Sequence, residues 1–115
     1  MPLLKLTTSV PVAAQKKDEL VGQLSKALAE ITRKPEQYVM VTLDDAAILM
    51  AGKAGPAAFV DVRGIGGLTG DVNQQVSKRI CALLEKAIGI PPDRVYLTFT
   101  DVAASNWGWN SKTFG

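Results

Sequence analysis

The pattern that most constrains the fold is a strand–helix–strand order that occurs twice along the chain. Pro35 and Pro92 each close a helical segment, and Asp44 and Asp101 each end the strand that follows. The members of both pairs lie 57 residues apart (35 to 92, 44 to 101), about half of the 115-residue chain. We therefore predict a single domain built from two β-α-β halves, residues 1–57 and 58–115.

Hydrophobic spacing predicts the elements of each half. Apolar residues alternate in the strands and recur every three or four positions in the helices. The predicted strands cover residues 3–8, 38–43, 57–63 and 95–100, with a short edge strand at 47–50, and the predicted helices cover 14–32 and about 71–89. Arg33 and Lys34 are placed in the last turn of the first helix, where cations suit the helix dipole. The expected fold class is α+β, a four-stranded mixed sheet with both helices on one face.

The other face of that sheet is also partly apolar. In the last long strand Val95, Leu97 and Phe99 alternate with Tyr96 and two threonines, so each face receives an aromatic residue. Two helices cover only one face, and no second domain is available for the other. The pattern predicts that further subunits cover it.

Composition excludes several classes of function. The chain has no histidine and one cysteine, Cys81, which excludes histidine-dependent catalysis, histidine-ligated metals and internal disulfides. A net charge of +2, spread along the sequence, indicates no nucleic-acid partner. No apolar run is long enough for a membrane span, and no signal peptide is evident, so the expected location is the cytoplasm. The sequence does not indicate whether the protein is secreted without a signal peptide.

Pro2 has two interpretations. It is either only a processing signal and strand opener, or, after removal of Met1, a secondary amine at the start of a buried strand. An N-terminal amine has a reference pKa of about 8, which burial or a nearby cation lowers toward the range of a general base. Lys34 is the candidate cation, although a lone lysine at a helix end is usually only solvated.

Other motifs carry weaker signals. The glycine run from Gly64 to Gly70 precedes a helix but fits neither a Walker A motif nor GxGxxG, although its N–H groups could still meet an anion. Asp44 and Asp45 lack a third ligand, so we predict no metal site. Trp107 and Trp109 share one face if the tail is extended, where they serve an interface or wall a ligand pocket.

Taken together, several segments resemble the macrophage migration inhibitory factor and D-dopachrome tautomerase family of the tautomerase superfamily. The resemblance covers essentially the whole chain. It is carried by residues 1–4 (MPLL), 34–38 (KPEQY), 64–66 (GIG), 92–96 (PDRVY) and 106–114 (NWGWNSKTF).

The resemblance implies a homotrimer of β-α-β-β-α-β subunits with cofactor-free active sites at subunit boundaries. By this similarity Pro2 is the catalytic base, Lys34 contacts a substrate carboxylate, and Ile65 contacts ligand through its backbone. Tyr96 is expected to arrive from a neighbouring subunit. The implied aromatic walls of the pocket are Tyr38, Trp109 and Phe114.

The chain departs from the family pattern in three respects. Thr98 replaces an asparagine of the fourth strand, which weakens the expected polar contacts to ligand. Trp107 replaces a small aliphatic pocket residue and is expected to narrow the mouth. Ala57 and Val60 stand where the vertebrate protein has a CxxC pair, so thiol oxidoreductase activity is not implied, and neither is receptor signalling.

The resulting functional hypothesis is an isomerase, a keto–enol tautomerase of aryl α-keto acids such as phenylpyruvate, with dopachrome as a further candidate substrate. Two alternatives stay open. One is a non-enzymatic trimeric binding or cytokine-like protein that keeps the pocket as a relic. The other is a different Pro2-dependent reaction of a keto acid, such as hydration or decarboxylation.

Overall fold

The computed structural model describes residues 1–115 and has the predicted α+β architecture. Its helices are α1 (Ala14–Thr32) and α2 (Gly70–Ile88), and its strands are β1 (Leu3–Thr8), β2 (Met40–Asp45), β3 (Ala58–Gly64), β4 (Val95–Asp101), β5 (Gly108–Trp109) and β6 (Lys112–Thr113). The four longer strands form a mixed sheet in the order β2-β1-β3-β4. Strands β1 and β2 are parallel, as are β3 and β4, whereas β1 and β3 are antiparallel. Neither helix is long and apolar enough to cross a membrane.

The core lies between one sheet face and the two helices. Leu20, Leu24 and Leu28 recur every four residues on α1 and are buried, because this spacing places them on one helix face. The equivalent buried stripe on α2 is Val76, Ile80 and Leu84. Leu4 and Leu6 of β1 and Val60 and Val62 of β3 meet these stripes from the sheet. Fully burying such a side chain contributes about 1.5–3 kcal/mol.

The opposite sheet face is open in the isolated chain. The strand register aligns Asp44, Thr7, Phe59 and Tyr96 in one row across it. Phe59 and Tyr96 are exposed, Tyr96 by 66% of its surface. The alternation predicted for strand β4 is therefore confirmed, and the open face carries aromatic surface.

Four predictions of local structure were wrong in detail. Residues 36–38 form a 3-10 turn rather than the start of a strand, because the N–H of Tyr38 bonds back to the carbonyl of Pro35. Helix α1 ends at Thr32, so Lys34 lies beyond the helix and not in its last turn. The N-cap of α2 is Thr69, which accepts a hydrogen bond from the backbone of Val72. Residues 47–50 form no strand, and only an isolated bridge joins Met50 to Lys53.

Arg94 holds the long connection between β2 and β3. Its guanidinium donates to the backbone carbonyls of Pro56 at 2.7 Å and Lys53 at 2.9 Å, with a longer contact of 3.4 Å to Met50. The carbonyls of Met50 and Lys53 also accept each other's backbone N–H, so Arg94 gives them a second donor. The clamp ties this loop to the beginning of β4.

Candidate active site

Pro2 lies at the end of the sheet, immediately before β1, and is buried. Its carbonyl accepts a hydrogen bond of 3.1 Å from the N–H of Met40, at the start of β2. Proline fits here because this position needs no N–H for the sheet. Pro2 contributes to the lining of two neighbouring cavities, an aromatic groove and a small cavity that Lys34 also lines.

The aromatic groove has a volume of about 380 Å³ and a mainly apolar lining. The predicted site residues that line it are Pro2, Tyr38, Trp107, Trp109 and Phe114. The ring of Trp109 stacks on Phe114 at 5.9 Å and meets the edge of Tyr38 at 5.7 Å. These contacts fix the rings as a connected wall, in the offset and edge-on geometries that aromatic pairs prefer.

A hairpin at the C-terminal end of the chain presents this wall. Strands β5 and β6 pair through Trp109 and Lys112, and Asn110 and Ser111 between them both have positive φ. A two-residue turn of this kind matches the right-handed twist of the strands. The N–H of Phe114 also bonds to the carbonyl of Trp107 at 3.1 Å. Both tryptophans consequently line one groove, as the spacing in an extended tail predicts.

Lys34 lies on another side of Pro2, against the glycine-rich loop. Arg33 ends α1 in the left-handed conformation, with φ of 58°, and this turns the chain away from the helix. The Lys34 ammonium donates to the carbonyl of Ile65 at 3.3 Å. Pro2, Lys34 and Ile65 together line a cavity of only about 10 Å³.

The stem of Lys34 lies against Gly67 of the glycine-rich loop. Gly67 has φ of +81°, and a Cβ built there would lie 3.4 Å from Cε of Lys34. The stem of Lys34 therefore rests on the backbone of the loop. A side chain at position 67 is therefore opposed by the positive φ, whereas its Cβ would lie at ordinary contact distance from the lysine.

The α-amine of the chain lies beside the same groove. The amine of Met1 donates to the carbonyl of Tyr38 at 2.9 Å. Burial, and secondarily repulsion from the Lys34 cation, lower the pKa of this amine below its ordinary value of 8.0. The Met1 amine is thus biased toward its neutral, proton-accepting form.

The glycine-rich loop does not offer Gly66 to an external anion. The N–H of Gly66 already donates to Oδ1 of Asp101 at 2.7 Å, and the N–H of Val102 bonds to the carbonyl of Gly64 at 2.8 Å. The Asp101 carboxylate thereby occupies the N–H group of Gly66, which the sequence pattern had left available for an external anion.

Tyr96 and Thr98 are the predicted site residues that this chain does not bring to Pro2. Both lie on the open face of β4, which is separated from β1 by β3. The hydroxyl of Thr98 lies 3.5 Å from Oδ1 of Asp61, whose other oxygen binds Arg63 in a two-point ion pair. Within one subunit, Thr98 is therefore engaged with its own sheet.

Sequence reasoning missed several residues around the site. Gln37 and Met40 line the aromatic groove, and Asp101 holds the glycine loop. The sequence signal that could have identified Asp101 was its position at the end of a predicted strand, just before the chain turns. Of the two acidic residues at the end of β2, Asp45 lies 3.9 Å from the ammonium of Lys17.

Comparison with known proteins gives one consistent result. The family model described as "Macrophage migration inhibitory factor (MIF)" matches residues 1–115. The macrophage migration inhibitory factor of Rattus norvegicus is 36% identical over 115 residues, covering 99% of each chain.

Solved structures of homologues agree with the sequence comparison. A macrophage migration inhibitory factor homologue from Prochlorococcus marinus is 42% identical with a TM-score of 0.93, covering 98% of this chain and 99% of that one. A macrophage migration inhibitory factor-like protein from Entamoeba histolytica is 33% identical with a TM-score of 0.95, covering 98% of both. The sheet order and helix placement described above are those of this group.

Proposed function

The chain belongs to the macrophage migration inhibitory factor family, and on that basis we propose that it is a cofactor-free keto–enol tautomerase of phenylpyruvate-like aryl α-keto acids. Family membership supports a tautomerase-like or a cytokine-like function. The observation that favours the tautomerase is the position of Pro2, which lines both an aromatic groove and the cavity that holds Lys34.

In the proposed reaction, removal of Met1 places the free amine on Pro2. The neutral nitrogen takes a proton from the carbon next to the keto group, and the electrons of that C–H bond form the C=C bond of the enol. The carbonyl π electrons move to oxygen, which receives a proton from the prolinium. The reaction is an isomerisation, so no co-reactant is needed, and the same groups serve it in reverse.

The groups around Pro2 suit the two ends of such a substrate. The Lys34 ammonium has three donors, one of which binds the Ile65 carbonyl, so the others are free for a carboxylate. The aromatic wall of the groove suits the substrate's phenyl ring. Between Lys34 and this wall, the keto group is held beside Pro2.

We further propose that the active assembly is a homotrimer. The open sheet face carries Phe59 and Tyr96, and Met40 at its end is 63% exposed, which is costly for an isolated chain in water. Association would cover this face and bring Tyr96 and Thr98 of one subunit toward the Pro2 groove of the next. Sedimentation equilibrium tests this, and a monomeric, fully active protein would contradict it.

The primary test is phenylpyruvate turnover by protein whose N-terminus is verified by mass spectrometry. We expect Pro2→Gly, which keeps an N-terminal amine but loses the secondary amine and ring, to lose about 10²- to 10⁴-fold in kcat/KM, the contribution of general acid–base catalysis. Undiminished turnover by that variant, or full activity with Met1 retained, would refute the proposal.

A non-enzymatic binding protein is the second candidate, and Trp107 is the observation that favours it. Its indole lines the groove where the resemblance expects a small residue, and the cavity at Lys34 holds only about 10 Å³. This candidate predicts that aryl keto acids neither react nor bind at Pro2. A substrate panel that includes hydration and decarboxylation assays separates both candidates from other Pro2-dependent chemistry.

A further inference from the structure

A single peptide group links Asp101 to the lysine of the site. The N–H of Gly66 donates to Oδ1 of Asp101 at 2.7 Å, and the carbonyl of Ile65 accepts from Nζ of Lys34 at 3.3 Å. These N–H and C=O groups belong to the same peptide unit, which is planar. Any rotation of that plane moves both hydrogen bonds together.

The surroundings leave this peptide few other orientations. Gly66 and Gly67 have φ of +69° and +81°, which confine the loop to a turn that residues with side chains rarely adopt. The N–H of Val102 bonds the carbonyl of Gly64 at 2.8 Å, so the loop is tied to the end of β4 at two points. The bond to Asp101 is charge-assisted and short, and therefore the stronger type.

We propose that Asp101 is a positioning residue: it fixes the Ile65–Gly66 peptide, and through that peptide it holds the Lys34 ammonium beside Pro2. A carboxylate on the N–H also polarises the peptide, which strengthens its carbonyl as an acceptor for the lysine. The catalytic consequence rests on the proposed tautomerase function. The structural consequence, the location of the Lys34 charge relative to the amine, does not.

A positioning role and a purely electrostatic role of Asp101 predict opposite changes in the pKa of the N-terminal amine. As a negative charge, Asp101 favours the protonated amine, so its removal would lower the pKa of the amine further. As a positioning residue, its removal lets Lys34 move away, which relieves repulsion and raises that pKa. The direction of the change therefore distinguishes the two roles.

Three substitutions separate acceptor geometry from charge. Asp101→Ala removes both, Asp101→Asn keeps an acceptor oxygen without the charge, and Asp101→Glu keeps the charge but displaces the acceptor by one methylene. Asp101 is exposed, so truncation leaves no buried cavity. Asp18→Ala is the matched control, because Asp18 is a likewise exposed aspartate on α1 and lines neither cavity at Pro2.

Phenylpyruvate kinetics provide the first readout. We expect Asp101→Ala and Asp101→Glu to raise KM and to lower kcat/KM by up to about 100-fold, since misplacing a binding group by about 1 Å has effects of that size. Asp101→Asn should restore most of the loss, and Asp18→Ala should match the parent. The proposal would be overturned if Asp101→Glu had the kinetics of the parent while Asp101→Asn was defective. In that case the charge at position 101 would matter and the position of the acceptor oxygen would not.

The second readout does not depend on turnover. The rate at which cyanate carbamoylates the N-terminal amine is followed against pH, and its midpoint gives the pKa of that amine. Positioning predicts a higher midpoint in Asp101→Ala and Asp101→Glu, and a parental or lower one in Asp101→Asn. An unchanged or lowered midpoint in both of the first two variants would overturn the proposal. If the parent lacks phenylpyruvate turnover, the tautomerase fails while this titration still decides the role of Asp101.

Discussion

Replacing Lys34 by alanine removes the cation that lines the cavity at Pro2 and contacts the glycine loop. Its ammonium makes one hydrogen bond, to the carbonyl of Ile65, and offers its other donors to a substrate carboxylate. A hydrogen bond to a charged group contributes about 1.5–3 kcal/mol, which corresponds to a loss of about 10- to 150-fold in kcat/KM. Lys34→Ala should show this loss mainly through KM.

The same substitution should also move the pH profile. Activity needs the neutral amine, so kcat/KM rises with pH through the pKa of that amine. Burial and the Lys34 cation both lower the pKa of the Met1 amine at this end of the sheet. We expect the same two causes to act on the Pro2 amine, and the substitution removes only the cation. The rising limb should therefore shift to higher pH, and the loss should be larger at pH 6 than at pH 9.

Steady-state kinetics of phenylpyruvate tautomerisation across pH measure both effects. Lys34→Arg keeps the charge and should retain the low-pH limb. Lys26→Ala is the matched control, because Lys26 lies exposed on α1, away from the site. The reasoning would be refuted if Lys34→Ala had the KM of the parent, or if the rising limb of its pH profile stayed in place or moved to lower pH.

Three further predictions concern the surrounding structure. Gly67→Ala should lower the free energy of unfolding by about 1–2 kcal/mol in urea titrations, because position 67 needs positive φ, whereas Gly22→Ala within α1 should not. Arg94→Ala should destabilise the chain by about 1–3 kcal/mol and speed hydrogen exchange between residues 46 and 57, since the carbonyls of Pro56 and Lys53 each lose a charged donor. Burial, and secondarily Glu85, raise the pKa of the Cys81 thiol, so iodoacetamide should alkylate it slowly at pH 7.5 and rapidly only in denaturant. Parental stability, parental exchange, or fast alkylation of the native protein would contradict these expectations in turn.

The layered fold was predictable because local periodicity determines it. The four-residue spacing of Leu20, Leu24 and Leu28 requires one apolar helix face, and the bounds of α1 match the prediction at both ends. The alternation in β4 likewise predicted which residues face the helices and which face outward. Such patterns repeat several times within one element, so a single unusual residue does not obscure them.

The site depends on the backbone conformations of single residues, which no repeating pattern in the sequence predicts. Arg33 adopts positive φ and redirects Lys34 toward the glycine loop, although arginine has no special preference for that conformation. The turn at Asn110 and Ser111 that presents the aromatic wall is a similar case. The bond from Gly66 to Asp101 joins residues 35 positions apart, and only the folded strand order brings them together.

Titration of the Pro2 amine itself tests the central claim most directly. In protein labelled with ¹⁵N-proline and shown to lack Met1, the pKa of Pro2 is measured by NMR and compared with the pH limb of kcat/KM for phenylpyruvate. The account predicts that the two values coincide, and that both lie below the ordinary pKa of a chain-terminal amine. A Pro2 amine that titrates at its ordinary value, or a kinetic limb that does not follow it, would contradict the assignment of Pro2 as the base.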